Sequence, residues 1–101
     1  TLFRSDTHGY KSGGYTGSYV TDSTAIQKWS FASDANATNV GTITVGRSYA
    51  AAHSSTTYGY SSGGTPSSLN VIEKFAFATD SNATDVGDLT VGRGYICGNQ
   101  Y

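Results

Sequence analysis

Two histidines and one cysteine are the residues of this sequence that could act in catalysis. His8, His53 and Cys97 stand in three unrelated sequence contexts, and none belongs to a recognisable hydrolase or zinc-protease motif. The glycine-rich segment 12–17 lacks the lysine and the following helix of a phosphate-binding loop. We therefore predict that the protein is not an enzyme and that it has no catalytic residue, metal ion or cofactor.

Two polar turns contain a second set of chemically suggestive residues. Asn36 and Asn82 each begin an Asn-Ala-Thr sequence, which matches the acceptor motif for N-glycosylation, so both are candidate glycosylation sites. The alternative is that asparagine merely suits the backbone of a turn. Asp34 and Asp80 precede them and place oxygen atoms at alternate positions, as calcium sites do, but the glycine that permits a sharp calcium-binding turn is absent.

The polar turns belong to a tandem repeat. Residues 26–49 align with residues 72–95, and 15 of the 24 aligned positions are identical. Upstream, residues 9–14 match residues 59–64, and the two copies differ in length between the matched blocks. Loops tolerate such length changes, so we predict a loop there. The chain then divides into a first repeat with an incomplete first strand (1–50), a second repeat (51–92) and the first strand of a following repeat (93–101).

The composition and the spacing of apolar residues predict short strands. The chain has 13 Gly and 8 Tyr, and only 13% of its residues are charged, which is poor in helix formers and rich in strand and turn residues. Apolar and polar residues alternate over 70–77 with the period of a strand. With the turn residues between them, the segments predicted as the four strands of the second repeat are 48–55, 57–62, 70–77 and 85–91.

The order of these features resembles the kelch repeat. A double glycine (Gly63-Gly64), an apolar strand (71–75), a polar turn and a final strand before Gly92-Arg93 follow one another, and the first copy repeats the set with Gly13-Gly14. The resemblance covers nearly the whole chain twice. It implies an all-β fold of antiparallel four-stranded blades of a kelch-like β-propeller. Because propellers close with typically 4–8 blades, two repeats are expected to belong to a larger propeller or assembly, built from further blades of a longer chain or from other copies of this one.

Three pairs of residues are candidate contacts to a ligand or partner. Arg47 and Arg93 could bind an acidic group, although each could instead pair with a carboxylate or carbonyl of the adjacent blade. Trp29 and Phe75 could stack on a sugar ring, although aromatic residues at that position more often pack between sheets. The candidates in the longer loop of the first repeat, where propellers usually bind, are Tyr15 and Tyr19.

The bulk charge excludes two classes of partner. The net charge is −1 and there is no basic run, so we expect no nucleic-acid binding, and no apolar stretch approaches the roughly 20 residues of a membrane span. We predict a structural or recognition repeat module of an extracellular or virion surface appendage or fibre. The alternatives are a carbohydrate-binding propeller lectin formed by oligomerisation of two-blade chains and a kelch-type protein-interaction adaptor.

Overall fold

The computed structural model describes residues 2–16, 22–65 and 68–95, and the regular elements in these ranges are all β-strands. They form two sheets of four antiparallel strands, in which chain neighbours are sheet neighbours. Sheet 1 consists of β1 (Leu2–Arg4), β2 (His8–Ser12), β3 (Ala25–Ser30) and β4 (Thr38–Thr42). Sheet 2 consists of β5 (Ala51–Ser54), β6 (Tyr58–Ser62), β7 (Val71–Ala76) and β8 (Thr84–Asp88). The predicted all-β class is confirmed. The described segments contain no helix long and apolar enough to cross a membrane.

The two sheets pair their strands in the same register. Gly9 lies opposite Trp29 in sheet 1, and Gly59 lies opposite Phe75 in sheet 2. A Cβ atom added to Gly9 would lie only 2.4 Å from the ring of Trp29, and one added to Gly59 would lie 2.7 Å from the ring of Phe75. Each aromatic ring therefore lies over a glycine, because any larger residue there would clash with it. The third strand of each sheet also has a register shift after its second residue. The sequence repeat is therefore a structural repeat.

Two strands of sheet 2 are shorter than the sequence pattern predicts. The strand predicted over 48–55 begins only at β5, because Tyr49 has a φ of 56° and this left-handed conformation interrupts an extended chain. The strand predicted over 85–91 ends with β8. Beyond it the chain pairs with the loop before β7, where the amide of Arg93 donates to the carbonyl of Leu69 at 3.1 Å.

Each double glycine follows a strand directly, after β2 in the first repeat and after β6 in the second. The second glycine of each pair hydrogen-bonds to the segment that follows the last strand of the same repeat, β4 or β8. Both glycines of each pair have positive φ, at 65° and 118° in the first pair and 66° and 106° in the second. The amide of Gly14 donates to the carbonyl of Arg47 at 2.7 Å. A Cβ atom on Gly13 would lie 2.7 Å from that same oxygen. The pair thus supplies both the left-handed backbone and the space that this close approach requires.

Side chains alternate between two faces of each sheet, which we call the front and the back. The front residues are, in sheet 1, Gly9, Lys11, Gln27 and Trp29 and, in sheet 2, Gly59, Ser61, Glu73 and Phe75. The back residues are, in sheet 1, Tyr10, Ser12, Ile26 and Lys28 and, in sheet 2, Tyr60, Ser62, Ile72 and Lys74. The back of sheet 1 packs against the front of sheet 2.

The hydrophobic core lies between these two packed faces. Its buried members come from both repeats and are Tyr10, Ile26, Ile43, Phe75 and Ala83. Val40, Ala52 and Phe77 pack against this cluster and are partly exposed. Either sheet alone would expose its share of this apolar surface to water, so burial in each repeat depends on the other.

Candidate functional site

A buried ion pair joins the two sheets. Arg47 leaves sheet 1 just after β4, and its Nη2 atom lies 3.0 Å from Oε1 of Glu73 on β7. The side chains are 0% and 1% exposed. Neither of these two atoms has another hydrogen-bond partner among the described residues, so each charge depends on the other for compensation.

Further polar groups complete the environment of this pair. The Nη1 atom of Arg47 donates to the carbonyl oxygen of Gly63 at 3.1 Å. The second carboxylate oxygen of Glu73 accepts from the amide of Thr44 at 2.8 Å and from its hydroxyl at 2.5 Å. Arg47 and Thr44 follow sheet 1, whereas Glu73 and Gly63 belong to the second repeat. The polar cluster therefore crosses from one repeat to the next.

Electrostatics explains why the two charges must be buried together. Burial lowers the pKa of Arg47, and the negative charges of Glu73 and Asp85 oppose that change. An arginine starts from so high a pKa that its guanidinium remains protonated at neutral pH. Removing one partner of such a pair leaves an uncompensated charge in the protein interior, which is strongly unfavourable.

Three aromatic rings form one part of the apolar core at the same interface. Tyr10 on the back of sheet 1 stacks on Phe77 with ring centroids 4.9 Å apart, and it lies tilted against Phe75 at 5.5 Å. The hydroxyl of Tyr10 reaches the carbonyl oxygen of Phe77 at 3.5 Å. Burial raises the pKa of Tyr10 above its ordinary value, and the positive charge of Lys28 partly offsets this increase.

The rim of the interface is polar. Lys28 of sheet 1 forms an ion pair with Asp80 at 2.7 Å, and this hydrogen bond raises the pKa of Lys28. The amide of Thr42 donates to Oδ1 of Asn82 at 3.0 Å, and the amide of Ala83 donates to the carbonyl of Thr42 at 2.9 Å. The polar turn of the second repeat is thus held against β4 of the first.

The candidate arginines and aromatic residues fall into two environments. Arg47 and Phe75 lie within the interface and are buried, whereas Arg93 is exposed and Trp29 is half-buried on the front of sheet 1. Arg93 has no carboxylate within ion-pair distance among the described residues. Equivalent positions therefore differ in burial because a sheet packs against only one member of each pair.

Of the remaining candidates that the structure describes, Asn82 takes part in the interface. Tyr15 is 51% exposed, and Tyr19 lies outside the described residues, as does Cys97. Asn36 is exposed in the turn before β4. Asn82 is exposed as well, but its side chain takes part in the contact with β4.

Each histidine has a local hydrogen-bonding partner. The Nδ1 atom of His8 lies 2.8 Å from the hydroxyl of Thr7, and Nε2 of His53 lies 3.3 Å from the hydroxyl of Ser62. Within the described ranges, no three His, Cys, Asp or Glu residues are arranged to hold a metal ion.

A cleft opens where the sheets separate, next to the turns that precede β2 and β6. Its volume is about 340 Å³, and its lining includes Asp6, His8, Tyr10, Lys28 and Phe77. Aromatic surface and hydrogen-bonding groups thus occur together there.

The sequence left a carboxylate of the adjacent blade open as the partner of Arg47, but it did not identify Glu73 as that carboxylate. Glu73 lies in an alternating strand on the same face as Phe75, so its charge points toward the apolar side. A charged residue on the apolar face of a strand is a signal that the residue has a buried polar role. A second signal is that the equivalent position of the first repeat holds the neutral Gln27. No protein-family model matches the chain, and no curated protein is significantly similar to it.

Proposed function

We propose that this chain is a non-enzymatic structural and recognition module whose repeats stack front to back as blades of a kelch-like β-propeller. The observation that carries the proposal is the buried pair of Arg47 and Glu73, which connects one repeat to the next. Because a buried ion pair is weak evidence for added stability, we assign this pair the role of selecting one arrangement of the two sheets.

The distribution of exposed surface supports stacking beyond these two sheets. On the back of sheet 2, Ile72 is more exposed than its buried equivalent Ile26. Phe31, which follows β3, is 54% exposed, whereas its equivalent Phe77 packs against the core between the sheets. Sheets that bury one such face against a neighbour and leave the other open are the units of repeat proteins.

We assign the module to an extracellular or virion surface appendage or fibre. The low share of charged residues, the abundance of Gly and Tyr, and the close identity of the two copies motivate this location. Antibodies against the chain should label the outer surface of intact source particles or cells. Labelling that requires permeabilised cells would contradict this location.

The stacking role is tested through Glu73. Glu73→Gln keeps the shape of the side chain and leaves Arg47 buried without a counter-charge, which should reduce the free energy of unfolding by about 3–5 kcal/mol. The matched control is Asp88→Asn, which removes an exposed carboxylate at the end of β8 and should change stability by no more than about 0.5 kcal/mol. Both are measured by urea unfolding followed by circular dichroism.

A double variant separates pairing from other effects. Arg47→Met combined with Glu73→Gln removes both charges, so its loss should be smaller than the sum of the two single losses. Equal losses for Glu73→Gln and Asp88→Asn, or simple additivity in the double variant, would refute the proposed stacking role.

The cleft beside Tyr10 favours a second candidate function, carbohydrate binding. Sugar sites combine an apolar platform with a few hydrogen-bonding groups, and Phe77, Lys28 and Asp6 supply both kinds of surface. A glycan array probed with the intact chain should show a binder whose signal Lys28→Met reduces. An array without signal at high protein concentration would eliminate this candidate.

A further inference from the structure

We propose that the back of sheet 2 is a docking surface for another sheet of this repeat type, one with a carboxylate at the position of Glu73, and that Lys11 and Gln27 prevent a second copy of this chain from occupying it. The inference rests on the proposed stacking of repeats and adds the chemistry that selects the partner.

The segment after β8 has the same conformation as the segment after β4, which is the one that contacts sheet 2. The Nε atom of Arg93 donates to the carbonyl of Val91 at 3.4 Å, as Nε of Arg47 does to the carbonyl of Val45 at 3.3 Å. The carbonyl of Arg93 accepts from Gly64 at 2.8 Å, in the way that the carbonyl of Arg47 accepts from the equivalent glycine. Arg93 is therefore positioned like Arg47, but within the part of the chain that the structure describes no carboxylate lies within ion-pair distance of it.

Two tyrosines continue this correspondence. Tyr49 and Tyr95 stack with ring centroids 4.2 Å apart. Their φ angles are 56° and 54°. Tyr95 is 76% exposed, compared with 49% for Tyr49. A further sheet of this type would bring a third ring onto the exposed side of Tyr95.

Strand β8 carries the residues that are equivalent to those through which β4 contacts sheet 2. At Gly41 on β4 an added Cβ atom would lie 2.4 Å from the carbonyl oxygen of Ser81, whereas at the equivalent Gly87 no atom of the described residues lies within 4 Å. Val86 on β8 is 48% exposed, whereas its equivalent Val40 on β4 packs against the core between the sheets. The back of sheet 2 thus has the shape and apolar character of a docking face, and the residues that the structure describes leave it open to solvent.

Charge decides which front face this surface accepts. The front of sheet 2, which accepts Arg47, pairs Ser61 with Glu73. The front of sheet 1 pairs Lys11 with Gln27 at the same two positions. A second copy would therefore bring a lysine and a neutral amide to Arg93, where docking needs a carboxylate.

Burial of Arg93 on docking would make this difference in charge decide which front face binds. A guanidinium that loses its solvent without gaining a counter-charge is unfavourable, and a lysine beside it adds repulsion. The other contacts of the stack would be retained, because Tyr60 replaces Tyr10 on the back and Trp29 replaces Phe75 on the front. Selection against a second copy therefore depends on the side chains of Lys11 and Gln27, and substituting these two residues tests it.

The test converts the front of sheet 1 into that of sheet 2. In the full chain, the double variant Lys11→Ser, Gln27→Glu should associate head to tail, forming rings or longer oligomers because the two contacting faces differ. Restoring a buried counter-charge should tighten self-association at least about 100-fold over the wild type. Sedimentation velocity across a concentration series measures the change.

A triple variant provides the control. Adding Arg93→Gln to the double variant removes the positive charge from the back, so self-association should return to the wild-type level. Mixing the triple variant with wild-type chain should then yield a 1:1 complex, since one chain offers the converted front and the other an intact back. This mixture also tests the inference with chains that each remain monomeric.

Two results would overturn the inference. They are a double variant that associates no more tightly than the wild type, and association of the double variant that persists after Arg93→Gln is added. The stability of Glu73→Gln separates the two proposals. If that variant loses stability while the double variant fails to associate, the stacking role stands and the selection by charge is wrong.

Discussion

Replacing Ile26 with alanine tests directly whether the two sheets bury each other. Ile26 is 0% exposed in the core between the sheets, and its repeat equivalent Ile72 is only half-buried on the open back of sheet 2. Deleting a fully buried isoleucine side chain to alanine costs about 2–5 kcal/mol, including the cavity left behind. The same change at Ile72 should cost roughly 2 kcal/mol less, because its side chain loses less buried area and leaves no closed cavity.

The comparison cancels the effects that the two positions share. Both lie at the second residue of an equivalent strand and pair with an equivalent serine, so the change in strand propensity is the same. In a domain of this size a difference of about 2 kcal/mol corresponds to roughly 8–16 °C in Tm. Thermal unfolding followed by circular dichroism measures it. If Ile26→Ala does not fold, the pair Ile26→Val and Ile72→Val gives a smaller difference of the same sign. Equal losses at the two positions would refute packing of sheet 1 on sheet 2.

Two further predictions concern the rim and the pH dependence of this interface. Asn82→Ala removes the acceptor of the Thr42 amide and should lower the free energy of unfolding by about 0.5–1.5 kcal/mol. Asn36→Ala at the equivalent exposed turn should lower it by less. Urea unfolding of both variants measures the difference, and equal losses would contradict the contact. Burial raises the pKa of Tyr10, so above pH 10 the folded chain keeps a proton that the unfolded chain loses, and stability should fall as the pH rises. Tm values between pH 8 and pH 11 should decline less steeply for Tyr10→Phe than for the wild type, and parallel declines would contradict this assignment.

Much of the local structure was predictable from short-range patterns. The double glycines mark the ends of β2 and β6 because their left-handed backbone is sterically costly for other residues. Alternation over 70–77 identified β7, since the period of side chains along a strand is fixed by its backbone. The boundary near Tyr49 was not predictable, because a non-glycine residue with positive φ is uncommon.

The candidate site was predictable only in part, because its partners are distant in the chain. Arg47 was identifiable as one of two equivalent arginines, but the sequence pattern named no partner for it. Glu73 becomes its partner because sheet 1 packs its back face on the front of sheet 2. Lys28 and Asp80 are brought together by the same packing.

The sequence by itself determined the all-β class, the repeat and the positions of the turns. These follow from backbone sterics and side-chain alternation within a few residues, which act before any long-range contact forms. Only the tertiary structure decided that Arg47 is buried while Arg93 is exposed. The two arginines have nearly identical neighbours in sequence, so their difference comes from the sheet that packs against one of them and not against the other.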